Sequence, residues 1–360
     1  MNTFKSIRVA IAGLGNCASS LIEGIQYYRQ NPETDDGLLF PNLAGYSVCD
    51  IDIVTAFDIS DLKVGRFVKE AIYQAPNNFV RIQNMQVDGS ACVFRGPTLD
   101  GNPEHLARFV HESLEKPVDV VSVLKDNDVE VLVNMLPTGS FEATEFYAQC
   151  ALDAGCAFIN CIPTVLAQRP DMQHMYRHEE LPLLGDDIKS QIGTTILHRA
   201  LLHLLESRGA TLKKTSQVNI GGNTDFANFV QRAESKLVSK RKSLARYLNE
   251  NTDLHVGHHY DPTKGPLKNA FIEIEASVFG GSPLRISVKL ESDDKPNSAG
   301  SVVDLIRIAK GALENHMGGL IPDACAFYFK SAPTPIDDLE ALEMIRHNWV
   351  DLYAQVPEQV

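Results

Sequence analysis

Residues 7–12, Ile-Arg-Val-Ala-Ile-Ala, form a short β-branched run of the kind that fills a strand buried on both faces. The run ends in Gly13-Leu14-Gly15-Asn16-Cys17-Ala18, after which Leu21, Ile22, Ile25 and Tyr28 recur at helical spacing. A polar insert punctuated by proline and glycine occupies residues 31–46, and the next strand, residues 51–57, closes on Asp58. Residues 119–123 or 129–134 supply further strand material. A turn through Pro137, Thr138 and Gly139 then leads to an amphipathic helix marked by Phe141, Phe146, Tyr147 and Cys150. Residues 157–163 read as another strand with a polar end. This βαβα rhythm predicts an α/β fold with a doubly wound parallel sheet, whose ligands sit beyond the carboxyl ends of the strands. Asn134, Thr138, Gly139 and Asn160 would line that edge.

The pattern changes past residue 195. An apolar-periodic helix over residues 195–205 carries the chain away, and residues 216–220, 269–279 and 284–290 alternate like strands. Ile272, Ile274, Ala276 and Val278 share one face, with Glu273, Glu275 and Ser277 on the other. This predicts a second, more antiparallel α+β unit, whose sheet is available for assembly. A long helix over residues 298–312 then returns the chain to the first unit. The expected division is 1–200 with 301–360 for the first domain and 201–300 for the second.

Composition narrows the function classes. The chain has 360 residues and a formal net charge of −13. Sequence-independent nucleic-acid binding needs basic surface to displace counterions, and anionic membranes repel acidic proteins, so neither is expected as a partner. The first residues lack the apolar core of a signal peptide, and no apolar run approaches transmembrane length. The seven cysteines are an odd number with no CxxC pair, which fits reduced thiols in a cytoplasm.

The candidate chemistry begins at the first turn. In GxGxxA spacing, Gly13 permits the tight turn, Gly15 lets a pyrophosphate approach the backbone, and Ala18 lets helix and strand pack closely. Asn16 and Cys17 open the helix whose free N–H groups favour phosphate. Asp58, at the end of the second strand, suits adenosine ribose hydroxyls and would repel a 2′-phosphate, which favours NAD over NADP; the alternative is a helix N-cap. Lys236 and Lys240 are four apart and share a helix face, Lys268 follows a Gly-Pro turn, and Lys330 ends an aromatic run. Any one of these lysines alone reads as a solvated surface charge; beside another cation or in apolar surroundings it becomes a base or acid near neutral pH. His255, His258 and His259 cluster in an expected loop without metal-ligand spacing, and no GxSxG string is present. Asp293 and Asp294 form either a solvated acidic turn or an oxygen site for a hard cation.

Several strings together resemble one family, myo-inositol-1-phosphate synthase, in its compact actinobacterial-type branch. They are Val9 to Ser20, Arg95-Gly96-Pro97-Thr98-Leu99-Asp100-Gly101, Gly185-Asp186-Asp187-Ile188-Lys189-Ser190-Gln191, Asn219-Ile220-Gly221-Gly222-Asn223-Thr224-Asp225-Phe226, Ser235 to Lys240, Pro296-Asn297-Ser298-Ala299-Gly300 and Phe329-Lys330-Ser331. The resemblance runs nearly end to end. It implies a Rossmann NAD-binding domain joined to a catalytic and oligomerisation domain. It also implies conversion of glucose 6-phosphate to inositol 1-phosphate with tightly held NAD. By the same resemblance, Lys236, Lys240, Lys268 and Lys330 are the catalytic lysines, with Asp225 and Asp294 beside them. Lys236 would assist oxidation at C5, and Lys268 and Lys330 would serve enolisation and ring closure. Asp187 would lie near the nicotinamide. Ser190, Thr194, Asn223 and Lys240 would contact the sugar phosphate. Asp294 would adjoin a monovalent or divalent cation, and the assembly would be a homotetramer. One departure is local: larger members carry SGQT after the GDD-K element, where this chain has Ser190-Gln191-Ile192-Gly193-Thr194-Thr195.

Two other readings use the same residues. A related oxidoreductase would oxidise a phosphosugar or cyclitol and release NADH. A nucleotide sensor would bind NAD without turnover and would have no use for the lysines.

Overall fold

The computed structural model describes residues 5–102, 104–231, 244, 247–248 and 252–354. Lys236 and Lys240 lie outside the described residues, as does the side chain of Asp225. The Ile7–Ala12 strand is an interior strand of a seven-stranded sheet, third from one edge. From one edge the order is Cys92–Arg95, Ile51–Asp58, Ile7–Ala12, Val131–Asn134, Ala157–Asn160, Pro182–Leu184 and Gly319–Leu320, and every neighbouring pair is parallel. Strand order therefore reverses on either side of Ile7–Ala12, which opens a crevice beyond its carboxyl end.

Parallel strands need crossovers, and these cover both faces. On one side Val9 and Ile11 pack with Leu21 and Ile25 of helix Asn16–Gln30 and with Val302 and Ile306 of helix Asp294–Glu314. On the other, Leu132 and Phe158 meet Tyr147 and Ala151 of helix Phe141–Ala154 and Tyr176 of helix Pro170–His178. The returning helix begins earlier than its apolar pattern implies, because Asp293 caps it by accepting from the Lys295 amide at 3.1 Å.

The polar insert is held by one buried cation. Arg307 is fully buried and ion-paired with Asp304; its guanidinium donates to the carbonyls of Phe40 at 2.9 Å and Pro41 at 3.1 Å. Burial pushes the Asp304 carboxyl above its ordinary range, while Arg307 and the Tyr328 hydroxyl, at 2.8 Å, oppose that shift. Arg307→Met is expected to lower unfolding free energy by about 3–5 kcal/mol, because it strands the Asp304 charge and leaves carbonyls unpaired. Urea unfolding with an unchanged m-value measures this.

The second unit is a mixed four-stranded sheet in the order Asp253–Tyr260, Thr211–Gly221, Lys268–Ser277, Pro283–Ser292. Its first pair is parallel and the other two are antiparallel. Ile272, Ile274 and Ala276 face Leu202 and Leu205 of helix Thr194–Ser207, and Glu273 and Glu275 are exposed on the opposite face.

One open alternative about elements is decided and two expectations are corrected. Of the two stretches offered as strand, Val131–Asn134 takes the sheet position beside Ile7–Ala12, while residues 120–126 are helical, capped by Asp119 through the Ser122 amide. The histidine cluster lies in the Asp253–Tyr260 strand rather than a loop, because that segment completes a backbone ladder with Thr211–Gly221. Val278 falls past the end of its strand, in the turn, and is 40% exposed.

Candidate active site

A cleft of about 370 Å³ opens where the sheet order reverses, and the second unit supplies its opposite wall. Gly13 forms its floor. Its φ is +91°, its amide donates to the Phe57 carbonyl at 2.8 Å, and a β-carbon there would lie 2.8 Å from the Met135 oxygen. Only glycine tolerates that conformation at that approach. Gly15 differs: among the described residues nothing lies within 4 Å of where its β-carbon would be. It is the N-cap of helix Asn16–Gln30 and offers no side-chain cap, so the first-turn amides face the cleft. Ala18 is fully buried under this turn.

Asp58 stands at the end of its strand and lines the cleft. One carboxylate oxygen accepts from the Leu14 amide at 3.0 Å and faces Lys63 Nζ at 3.5 Å; the other accepts from the Ile59 and Ser60 amides. The acid thus braces the glycine turn. Asn16, Cys17, Thr138 and Gly139 also line the cleft. Asn134 and Asn160 are fully buried instead of lining it. The Asn134 amide donates to Asn160 Oδ1 at 2.9 Å and Thr144 Oγ1 at 3.1 Å, and its oxygen accepts from the Leu136 amide at 3.2 Å, which shapes the turn that carries Thr138.

The two adjacent aspartates divide their work. Asp186 is fully buried, accepting from the Leu166 and Ala167 amides and from Asn160 Nδ2; burial raises its pKa despite these bonds. Asp187 lines the cleft with φ +64° and accepts from Lys330 Nζ at 2.7 Å. Lys330 Nζ also donates to the Ile188 carbonyl at 2.7 Å. Lys268 comes from the opposite wall, as the first residue of its strand, and is ion-paired with Asp294. Both lysines line the cleft.

Ser190, Thr194 and Asn223 line it as well. Helix Thr194–Ser207 starts after Gly193 with no side-chain cap. Thr194 Oγ1 donates to Asn219 Oδ1 at 3.1 Å. Asn219 is 3% exposed and lines the cleft, yet its Nδ2 has no hydrogen-bond partner among the described residues. An uncapped helix terminus beside an unsatisfied amide is a donor set for an anion.

Lining residues that escaped the sequence reading of single positions include Asn219, Lys189 and Lys295. The first left a signal. Thr215, Gln217 and Asn219 are polar at alternate, buried positions of one strand, where a packed face calls for apolar side chains.

Fold and cleft together define a two-unit α/β protein with a dinucleotide-type glycine turn facing paired lysines. The family description "Myo-inositol-1-phosphate synthase" matches residues 193–295. Inositol-3-phosphate synthase of Mycolicibacterium smegmatis is 43% identical, over 94% of this chain and 96% of that protein. The Corynebacterium glutamicum inositol-3-phosphate synthase is 43% identical over 95% and 97%. The crystal structure of Ari2 superposes with a TM-score of 0.80 at 32% identity, covering 95% of this chain and 98% of that one. The chain belongs to the myo-inositol-1-phosphate synthase family.

Proposed function

We propose that this chain converts D-glucose 6-phosphate to 1L-myo-inositol 1-phosphate by a redox-neutral isomerisation, with NAD as its resident cofactor. The supporting observation is that the glycine turn and two carboxylate-paired lysines, Lys268 and Lys330, open onto one cleft in a member of that family.

The residues fit a dinucleotide. The open space at Gly15 would admit a pyrophosphate, the first-turn amides would donate to it, and Asp58 would suit ribose hydroxyls. Asn16, Cys17, Thr138, Gly139 and Asp187 would line the cofactor. When bound, NAD supplies hydride acceptance from sugar C5 and later return to it. The chain's own side chains handle charge and protons. Lys330, fixed by Asp187, and Lys268, fixed by Asp294, place ammonium groups where oxyanions develop at C5 and then at C1. A proton leaves C6, the C6–C1 bond forms, and the C1 oxygen gains a proton, so the product is an isomer of the substrate. Thr194, the amides after Gly193 and Asn219 Nδ2 would hold the phosphate, with Ser190 and Asn223 alongside. Lys236, Lys240 and Asp225 complete the set the resemblance implies.

A metal ion at Asp294 is a poorer fit. Its carboxylate is taken by Lys268, and among the described residues no group of three His, Cys, Asp or Glu could hold a metal ion.

The outer face of the second sheet, with Phe271, Glu273 and Glu275 beside Arg285 and Lys289, would join copies into a tetramer. Among the described residues no helix is long and apolar enough to cross a membrane, and we place the enzyme in the cytoplasm.

Glucose 6-phosphate carrying deuterium at C5 tests the cycle. Inositol phosphate that retains the deuterium, with no net reduction of added NAD, is expected. Stoichiometric reduced cofactor and an open-chain product would make the protein a dehydrogenase instead.

A further inference from the structure

We propose that Asp338 is a positioning residue for Lys330, acting through Lys189; this rests on the cleft's reading as the synthase site. Lys189 follows Asp187 in the cleft-lining loop and is 3% exposed. Its Nζ donates to the Ala326 carbonyl at 2.8 Å and to Asp338 Oδ1 at 2.9 Å. Arg199, on helix Thr194–Ser207, reaches the other oxygen of Asp338 at 3.3 Å. One carboxylate therefore ties together the cleft loop, the first helix of the second unit and the C-terminal helix Asp338–Ile345. That helix does not need Asp338 as its cap, because Asp337 accepts from the Leu339 amide at 3.0 Å.

Among the described residues, the Lys330 ammonium makes its hydrogen bonds to this loop alone: Asp187 Oδ1 and the Ile188 carbonyl. The loop and the segment carrying Lys330 are laced together. The Lys189 amide donates to the Tyr328 carbonyl at 2.7 Å, the Lys330 amide to Asp187 at 2.8 Å, and the Ser331 amide to Asp186 at 3.1 Å. Lys189 Nζ adds a side-chain clamp to the same segment at Ala326, and Asp338 holds that clamp in place. Burial pushes the Lys189 ammonium down to about 8; Asp338 opposes this, while Arg199 and Lys330 add to it. Without the carboxylate, three cations face one another and Lys189 gives up its proton more readily.

The test compares the full-length protein with its Asp338→Asn and Asp338→Glu variants in two ways. Steady-state turnover of glucose 6-phosphate with NAD is followed against pH. Acetylation of Lys330 by acetic anhydride, read by peptide mass spectrometry, is followed without substrate. For Asp338→Asn the expected result is kcat lower on the order of tenfold with KM within about twofold. The basic limb of its pH profile moves to lower pH, and Lys330 acetylates several-fold faster. Asp338→Glu restores most of each. Wild-type kinetics and labelling in Asp338→Asn, or a lower melting temperature with an unmoved pH profile and unmoved labelling, would overturn the proposal. A wild-type protein that makes no inositol phosphate would refute the functional reading, and the labelling would still decide the role of Asp338.

Discussion

Lys330→Met lowers kcat by about 10²–10⁴-fold while leaving NAD affinity nearly unchanged. The reasoning starts from what methionine keeps: most of the side chain's volume, without the charge. Lys330 is mostly buried and directed by two acceptors, Asp187 Oδ1 and the Ile188 carbonyl, each at 2.7 Å. A cation so fixed has little reorganisation left to do when an oxyanion forms beside it, which is why its loss acts on the transition state more than on binding. The substitution also strands the Asp187 carboxylate on the cleft wall, adding a misplaced negative charge. Arginine is not expected to rescue, because a planar fork cannot reproduce a point charge held in that pair of bonds. Rapid-quench turnover beside cofactor fluorescence titration separates the two effects. Loss of NAD affinity in proportion to kcat would give Lys330 a binding role instead.

Gly13→Ala removes cofactor binding and destabilises the fold, whereas Gly15→Ala removes cofactor binding alone. At Gly13 the backbone is left-handed, costing a residue with a β-carbon about 1–3 kcal/mol, and the added atom would overlap the Met135 carbonyl and the Leu136 amide at 2.8 and 2.9 Å. Relieving that overlap pushes apart the glycine turn and the strand next to it, the two edges of the crevice. At Gly15 the conformation is extended and no described residue comes within 4 Å, so stability is expected to change by no more than about 1 kcal/mol. The space itself is what a bound pyrophosphate needs. Thermal melts and NAD titration of both variants check the contrast. Equal NAD affinity in Gly15→Ala and wild type would show that the space is not used.

The parts of this structure legible in the sequence are those set by neighbours along the chain. The Ile7–Ala12 strand, its glycine turn and the helix after it follow from periodicity and backbone freedom within a few dozen residues. Asp58 is placed correctly at its strand end because a parallel strand must finish at the same edge as its neighbour. The Val120–Asp126 helix was hidden by its own valines, since the Asp119 cap outweighs their β preference. The histidine strand was hidden because its partner lies about forty residues earlier and supplies the ladder. Arg307 looks like an ordinary helix residue until the insert wraps around it. Lys268 and Lys330 are singled out by family likeness, but their separate aspartate partners and their meeting across one cleft depend on tertiary packing.

The central claim is ring closure, and glucose 6-phosphate labelled with carbon-13 at C1 and C6 tests it most directly. With pure protein and catalytic NAD, carbon NMR is expected to show a new one-bond coupling between those two carbons in an inositol phosphate. Labels that remain uncoupled while reduced cofactor accumulates would contradict the account.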